Sequence, residues 1–401
     1  MRDTTLQKKN FMGRTTIRDI AREAHTSVST VSRVLNGSNH IAPETRELVT
    51  GAIQRLNYIP DSRARGMRLQ QTNMLGFLIP DLTNRYFALL AQVVKGTLVQ
   101  SGYLTFLGVT SESEKVQDLY ASAMLAQHID GALIVPQGKQ SSSLQQLLDS
   151  EIPIVLIDRP LEGRDDIPLV DSDPLPGMIA TITDFKEHGH KNIGYIAGPV
   201  TGAPALALRG VVFRKLAAEI AGFDKVLIDT THGGQRDLDL RLGNGYDGII
   251  FDKSAVGHYG MRSTVIRNCV SSKNSLTIQT MDNSYFAEYM DRIGQVLTDM
   301  MNEGVTAILF GYSPDAIVAL TWLSQQNIKV GVDLSIASFD DLEIFSLHTP
   351  QVAAIAQPVI QMGMQAAATI IDRVNGGVVS SSRIPTMYLH RDSVGDAPNR
   401  S

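Results

Sequence analysis

The sequence predicts an α/β protein in which a small all-helical N-terminal part precedes a larger, bilobed core of two doubly wound parallel sheets. Residues 15–56 contain short segments with helical periodicity that very few residues separate. Beyond residue 72, short apolar runs alternate with helical segments, which is the order that parallel sheets with covering helices require. This alternation occurs twice, and a chain of 401 residues, 43% of them hydrophobic, is long enough for two core lobes.

Two short amphipathic helices are expected in residues 15–37, TTIRDIAREAHTSVSTVSRVLNG. In each half, apolar residues recur at three- and four-residue steps, which is typical of a helix with one buried face. Only His25 and Thr26 separate the two halves, so the second helix has to cross the first at a steep angle and pack on it. This arrangement is a helix-turn-helix.

The outer face of the second helix carries small hydroxyl groups, one Arg and one Asn, namely Ser29, Thr30, Ser32, Arg33 and Asn36. Such side chains can enter a major groove and donate to phosphates and base edges. Residues 1–70 contain twelve Arg or Lys and six Asp or Glu, which is a net charge of +6. Because the whole chain has a net charge of −5, the remaining residues carry −11. A basic part on an acidic body favours binding to a polyanion, although a helical hairpin with a plain polar face is the alternative.

The eleven residues from Ser27 to Gly37, SVSTVSRVLNG, closely resemble the head motif of the lactose-repressor (LacI/GalR) family of bacterial transcription regulators. The resemblance implies a repressor that binds a palindromic operator in double-stranded DNA as a homodimer, with an affinity that a small effector controls. The family usually has Gly at the turn between the helices, where this chain has His25. His adopts the left-handed backbone that such a turn requires more readily than most residues, with some strain.

A third helix is expected from Pro43, and it completes a head that spans residues 14–60. Residues 61–71 follow as a basic linker, in which Gly66 costs a helix about 1 kcal/mol relative to Ala. The resemblance implies that this hinge becomes helical when two copies pair over the minor groove and insert Met67 between base pairs, whereas a plain charged linker is the alternative. The expected DNA contacts are Thr16, Arg18, Ser27, Val28, Ser29, Thr30, Arg33, Asn36, Arg63, Arg65 and Met67.

Strands of the core are expected near residues 74–80, 104–109, 131–136 and 154–158, and a second lobe repeats the pattern from residue 193. Ligands of such sheets bind beyond the carboxyl ends of the strands. The resemblance implies a periplasmic-binding-protein-like core with an effector cleft between the lobes. We expect the first lobe to comprise residues 72–173 and 357–383, and the second to comprise 174–356 and 384–401.

The candidate effector residues follow the predicted strands. Tyr86 and Phe87 offer aromatic faces to a sugar ring or a nucleobase, and Asp158 with Arg159 offers acceptors beside a fork of donors. For each of these residues taken alone, the alternative to a ligand-binding role is an ordinary charged residue at the surface or an aromatic residue of the core. The expected set, in which the resemblance supplies Arg209 and Asp340, is Asp81, Asn84, Tyr86, Phe87, Asp158, Arg159, Arg209, Tyr312 and Asp340. The effector stays open between a pentose, a hexose and a nucleoside, with purines as the next possibility.

The second lobe departs from the family in two places. Tyr312 and Ser313 stand where the family usually has an Asn-Asp pair, so one usual hydroxyl-binding group is missing. An insertion at about residues 223–275 makes the chain longer than the family's spacing requires, and we expect an extra strand and helix at residues 247–257. Residues 243–248, GNGYDG, match the dinucleotide fingerprint but precede an apolar run instead of following one, so no cofactor site is expected there.

Other classes of function find little support. The single cysteine, Cys269, excludes an internal disulfide, and residues 1–13 lack the apolar run of a signal peptide, so we expect a cytoplasmic protein with a disordered leader. The absence of zinc spacing, a P-loop or a GxSxG motif predicts no metal, no cofactor and no enzymatic activity. The short tail after Arg391 lacks heptads, which predicts a dimer without a tetramerising coiled coil. The competing hypothesis is a sugar-binding or sugar-modifying protein whose head is non-functional.

Overall fold

The structure, a computed structural model of the chain, describes residues 15–35, 37–38, 40–58, 71–111, 113–137, 142–198, 204–220, 222–229 and 283–398. The chain divides into two compact units, a head up to Thr72 and a core from Asn73 onwards. The helices α1 to α12 of the described residues are Ile17–Glu23, Val28–Leu35, Pro43–Arg55, Arg85–Gln100, Glu114–Gln127, Ser142–Leu148, Leu175–Glu187, Pro204–Glu219, Asn283–Asn302, Ser313–Gln325, Glu343–Leu347 and Val359–Val374. The strands β1 to β12 are Met74–Ile79, Leu104–Val109, Gly131–Ile134, Ile154–Ile157, Leu169–Asp173, Asn192–Ile196, Lys225–Asp229, Ala307–Phe310, Ser335–Phe339, Ala353–Ala356, Ser382–Pro385 and Met387–Leu389.

The head consists of three helices around a small apolar core. Ile20 of α1, Val31 of α2 and Val49 of α3 are completely buried, so each helix contributes its apolar face to the same cluster. His25 has a φ of 50°, which confirms the left-handed backbone expected at the turn between α1 and α2. Pro43 occupies the first turn of α3, where its missing N–H costs nothing. The predicted helix-turn-helix with a third helix is confirmed.

Each lobe of the core contains one six-stranded sheet. The strand order is β11-β5-β4-β3-β1-β2 in the first lobe and β12-β10-β9-β8-β6-β7 in the second. All neighbours are parallel except β12, which pairs antiparallel with β10. Strands β3, β4, β8 and β9 are buried along their whole length because helices cover both faces. The two doubly wound sheets are confirmed, with one antiparallel edge strand that the sequence did not indicate.

The chain passes between the lobes three times, after β5, after β10 and between β11 and β12. As a result, α12 packs in the first lobe although it follows strands of the second. Ile384 and Pro385 still pair with Ser172 and Asp173 of the first lobe. The third crossing therefore lies two residues beyond residue 383, where the sequence suggested the boundary.

The predicted insertion falls mainly outside the described residues. Its first part, Lys225–Asp229, is the edge strand β7 of the second lobe. The strand and helix expected at residues 247–257, the fingerprint match at 243–248 and Cys269 all lie outside the described part, as does the leader at residues 1–13. Within the part that is described, no helix is long and apolar enough to cross a bilayer.

Candidate DNA-binding surface and effector cleft

The exposed face of α2 presents the side chains that the sequence singled out for DNA. Ser27, Ser29 and Arg33 are exposed, Thr30 is half-buried, and the apolar Val28 keeps 41% of its surface exposed at the start of the helix. No acidic side chain lies within α2, Val28–Leu35. The only completely buried residue of this helix is Val31, which faces the head core. The helix is thus anchored in the head by one face, and its opposite, polar face is exposed.

Hydroxyl groups at the start of α2 satisfy one another. The Ser27 hydroxyl accepts a hydrogen bond from the Thr30 backbone N–H at 3.1 Å, which caps the helix. The same oxygen lies 2.7 Å from the Ser29 hydroxyl and 2.8 Å from the Thr30 hydroxyl. This network fixes the first turn of α2 and orients its polar side chains together.

Thr16 and Arg18 lie at the start of α1. The Asp19 carboxylate accepts hydrogen bonds from the backbone N–H of Thr16 at 2.9 Å and from its hydroxyl at 2.6 Å. These hydrogen bonds lower the pKa of Asp19 below its usual value. Thr16 therefore caps a helix, and both it and Arg18 remain exposed. Four predicted DNA contacts, Asn36, Arg63, Arg65 and Met67, lie outside the described residues.

In the first lobe, Tyr86 and Asp158 form the centre of a buried polar cluster. The Tyr86 hydroxyl donates to Asp158 Oδ1 at 2.8 Å, which joins the first turn of α4 to the end of β4. Arg159 Nε lies 3.5 Å from Asp158 Oδ2, and both side chains are only 7% exposed. The Arg159 guanidinium also lies 5.8 Å from the centre of the Phe87 ring, a cation–π arrangement. Burial and the Asp158 carboxylate raise the pKa of Tyr86 well above its usual value.

In the second lobe, Arg209 and Asp340 face the same centre. The Arg209 guanidinium lies 3.6 Å from the centre of the Phe339 ring and donates to the Gly311 carbonyl at 2.9 Å. Burial raises the pKa of the Asp340 carboxyl, and the nearby Arg209 acts in the opposite direction. Asp340 and Arg209 also influence the pKa of Tyr86, so groups of both lobes meet there.

Two aspartates occupy equivalent positions in the two lobes. Asp158 directly follows β4 and Asp340 directly follows β9, and both have a φ of 67°. This left-handed backbone is uncommon for a residue other than Gly and costs free energy that the surrounding fold has to supply. Such strain is typical of positions that hold a functional side chain in place.

Four of the predicted effector residues have local structural roles. The Asp81 carboxylate accepts from the Thr83 N–H and hydroxyl, each at 2.7 Å, and the Asn84 side chain caps α4 by accepting from the Tyr86 N–H at 3.0 Å. Phe87 is 5% exposed and belongs to the core of the first lobe. Tyr312 precedes α10 and packs against the backbone of Gly198, where a β-carbon would meet its ring. Their role in ligand binding remains a prediction.

Three glutamines next to this cluster were not predicted from the sequence. The Gln137 side chain accepts from Arg159 Nη1 at 2.9 Å, and Gln117 of α5 holds the Gln137 backbone by bonding both its N–H, at 2.8 Å, and its carbonyl, at 3.2 Å. Gln357 donates to the Asp340 carboxylate and accepts from the Ser172 hydroxyl. Gln137 and Gln357 follow β3 and β10, so the rule that ligands bind beyond strand ends could have indicated both.

Comparisons with known families agree with this architecture. The model for the lacI family of bacterial regulatory proteins matches residues 16–61. The model for periplasmic binding proteins and the sugar-binding domain of the LacI family matches residues 72–205, and a periplasmic-binding-protein-like domain model matches residues 274–394. None of the three covers residues 206–273, where the sequence indicates the insertion.

Individual proteins match between about half and nearly all of the chain. Catabolite control protein A of Priestia megaterium is 25% identical over 367 residues, which cover 92% of this chain and 95% of that protein. The ribose operon repressor of Halalkalibacterium halodurans is 36% identical over 191 residues, 48% of this chain and 56% of that protein. A crystal structure of the lac repressor dimer bound to operator and the anti-inducer ONPF aligns with a TM-score of 0.71 at 20% identity, covering 94% of this chain and 98% of that one.

A helix-turn-helix head followed by a two-lobed periplasmic-binding-protein-like core defines a class of bacterial transcription regulators. This chain has the parts of such a regulator: its head matches the lacI family of bacterial regulatory proteins, and the first part of its core matches the sugar-binding domain of the LacI family. The relatives that match most of its length include catabolite control protein A and the HTH-type transcriptional repressor PurR of Salmonella, and neither is named as an enzyme.

Proposed function

We propose that two copies of this chain bind a palindromic operator in double-stranded DNA and repress transcription in the cytoplasm. A small sugar or nucleoside bound between the lobes changes the affinity for the operator. The observation that carries the proposal is the polar, non-acidic face of α2, which leaves Arg33 and the Ser29 hydroxyl exposed. Arg pairs with the edge of guanine, and small hydroxyl side chains let the helix approach the bases closely.

A second copy of the chain suits an exposed apolar surface on the first lobe. Strand β2 is an edge strand of its sheet, and its Leu104 and Leu107 are 65% and 40% exposed. Leu119 of α5, which packs against β2, is 71% exposed. Edge strands with exposed leucines are costly in a monomer because they offer both apolar area and unpaired backbone groups. A homodimer that covers this edge also matches the two-fold symmetry of a palindromic operator.

The cleft supports a ligand with several hydroxyl groups. Asp158 and Asp340 supply acceptors, Arg159 and Arg209 supply donors, and Tyr86 adds an aromatic edge that is itself hydrogen-bonded. Adjacent carboxylate and guanidinium groups bind vicinal hydroxyls from both sides. Because the two lobes contribute to the same centre, a ligand bound there changes the free energy of lobe closure.

The experiment is a selection of operator DNA by the full-length protein from a randomised duplex library, followed by fluorescence anisotropy on the selected duplex. We expect Arg33→Ala to weaken binding to the selected duplex by about tenfold or more, the loss typical of one specific base contact. Arg55→Ala is the matched control, since Arg55 is an exposed arginine at the end of α3 that pairs with Glu23 at 3.0 Å. It removes the same charge and is expected to change binding by less than about threefold.

Equal losses in the two variants would show that the head binds DNA only through its charge. Failure to enrich any sequence would favour the competing hypothesis, a sugar-binding protein with a non-functional head. A selected duplex without two-fold symmetry would contradict the dimeric part of the proposal.

A further inference from the structure

The two lobes of the core are closed around the cluster of Tyr86, Arg209 and Asp340. Tyr86 belongs to the first lobe and the other two residues belong to the second, and each of the three is more than nine-tenths buried. Both charged groups influence the pKa of Tyr86, so the lobes bring them close to its hydroxyl. Opening of the lobes exposes these groups to water, and the structure therefore shows the closed arrangement.

An ion pair also joins the two lobes. Arg85 lies in the first turn of α4 in the first lobe, and Glu343 lies in the first turn of α11 in the second. Arg85 Nη2 is 2.8 Å from Glu343 Oε1. Neither residue belongs to the three segments along which the chain passes between the lobes, after β5, after β10 and between β11 and β12. The pair therefore depends on closure of the lobes, whereas the connecting segments join them in any arrangement.

The first lobe alone does not compensate the charge of Arg85 within its own helix turn. Arg85 is the first residue of α4, and the first turn of this helix has no acidic residue. Because the N-terminal end of a helix carries a partial positive charge, a cation is unfavourable there. The carboxylate of Glu343, which comes from the second lobe, supplies the opposite charge. The position of Arg85 is thus unfavourable for an isolated lobe and favourable for a closed core.

The backbone on both sides of the ion pair is already fixed by other contacts. In the first lobe, the Asn84 side chain caps α4 by accepting from the Tyr86 N–H at 3.0 Å. In the second lobe, the Asp341 carboxylate accepts from Nη1 and Nη2 of Arg391 at 2.7 and 3.0 Å. Formation of the pair therefore costs mainly the entropy of its own two side chains.

Both partners of the ion pair remain exposed to solvent, since the side chain of Arg85 is 54% exposed and that of Glu343 is 78% exposed. An exposed pair contributes modestly to a conformational equilibrium, and salt screens its attraction. A contribution of this size changes the ratio of two conformations by about two- to fivefold. Such a contact adjusts the closure of the lobes without locking it.

We propose that Arg85 and Glu343 form a latch that favours the closed arrangement of the lobes and that salt weakens. The latch sets the proportion of closed molecules before an effector binds. It thereby makes the readiness of the core to respond depend on ionic strength. This inference rests on the proposed function for its effect on DNA binding, whereas closure of the lobes is measured on the protein alone.

The test is double electron–electron resonance on the full-length protein, with one spin label on each helix that carries the latch. Gln92 on α4 and Leu347 on α11 are exposed, and both are replaced by Cys for labelling. Cys269, the single cysteine of the chain, is replaced by Ser so that only these two positions react. We expect a short and a long distance between the labels, which correspond to closed and open molecules, with the short distance predominating.

Charge reversal provides the decisive variants. Arg85→Glu places two carboxylates opposite each other, and we expect the ratio of closed to open molecules to fall by about fivefold or more. The double variant Arg85→Glu, Glu343→Arg restores the pair in the opposite orientation and should return this ratio to within about twofold of its original value. Raising the NaCl concentration from about 0.1 M to about 1 M should lower the ratio about two- to fivefold in the parent protein and much less in Arg85→Gln.

Lys225→Glu is the matched control. It also reverses one charge of a partly exposed ion pair, with Glu303 at 2.7 Å, but both partners of that pair lie in the second lobe. Because this pair does not join the lobes, we expect the ratio of closed to open molecules to change by less than about twofold.

A ratio that Arg85→Glu leaves unchanged, or one that Lys225→Glu lowers equally, would overturn the latch. Failure of the double variant to restore closure would overturn it as well. These measurements use neither DNA nor effector, so such results would leave the proposed operator binding intact. If Arg85→Glu opens the lobes as expected but leaves the affinity for the selected operator unchanged, the latch stands and the proposed control of the head by the cleft is contradicted.

Discussion

Replacement of Val31 by Ala is expected to destabilise the head selectively. Val31 is completely buried at the point where α2 meets the other two helices. The change removes two methyl groups, worth about 1.6 kcal/mol at about 0.8 kcal/mol each, and a cavity contribution raises the cost to about 2 kcal/mol. The better helix propensity of Ala returns a few tenths of a kcal/mol. A loss of this size shifts the folding equilibrium of a small domain up to about thirtyfold.

Hydrogen exchange of the amides of residues 15–58 measures this loss directly, and a calorimetric scan follows the core in the same sample. We expect faster exchange throughout the three helices, weaker operator binding and an unchanged melting transition of the core, because the head is a separate compact unit. Leu48→Ala is the matched control, since Leu48 is 58% exposed on α3 and its truncation should cost less than about 0.5 kcal/mol. Equal effects of the two variants would refute the described packing of α2.

Two further predictions concern titratable groups of the core. Burial lowers the pKa of His190, so the unfolded chain binds a proton at this residue more readily than the folded core does. Denaturant titrations should therefore show that the free energy of unfolding is constant above about pH 7 and falls as the pH drops below about 6.5. The fall should be smaller in the variant His190→Gln. Burial raises the pKa of Asp340, which means that the folded core disfavours the ionised carboxylate. Asp340→Asn should therefore raise the melting temperature at pH 7 and weaken sugar binding. A lower melting temperature of this variant would contradict this account.

The sequence was most informative about the head, because the helices there are determined mainly by residues that are close together in the sequence. The two apolar periodicities and the short turn around His25 predicted α1 and α2, and the structure has both helices and the left-handed turn. The alternation of apolar runs and helices likewise predicted both sheets, because each buried parallel strand is a local signal. The antiparallel strand β12 could not be predicted in this way, since only its distant partner β10 determines its direction.

The cleft was predictable only in part. Asp158 and Arg159 directly follow a strand, and the strand-end rule was sufficient to select them. The same rule selected Asp81 and Asn84, whose oxygens are engaged by neighbouring N–H and hydroxyl groups; a polar residue just before a helix is as typical of a cap as of a ligand site.

Contacts between distant residues had no signal in the sequence. Asp171 and Arg383 are 212 residues apart and become neighbours only when β11 pairs with β5. They become neighbours only because the chain returns to the first lobe before its third passage between the lobes, and no local sequence pattern predicts that return.

The most direct test of regulated DNA binding is the reciprocal linkage between operator and effector. The dissociation constant for the selected operator is measured by anisotropy with and without saturating amounts of the sugar that binds most tightly, and the dissociation constant for that sugar by calorimetry with and without operator. We expect both constants to change by the same factor, about 5 to 150, because one coupling free energy governs both. Operator binding that is indifferent to a sugar that binds the core would contradict the claim that the cleft controls the head.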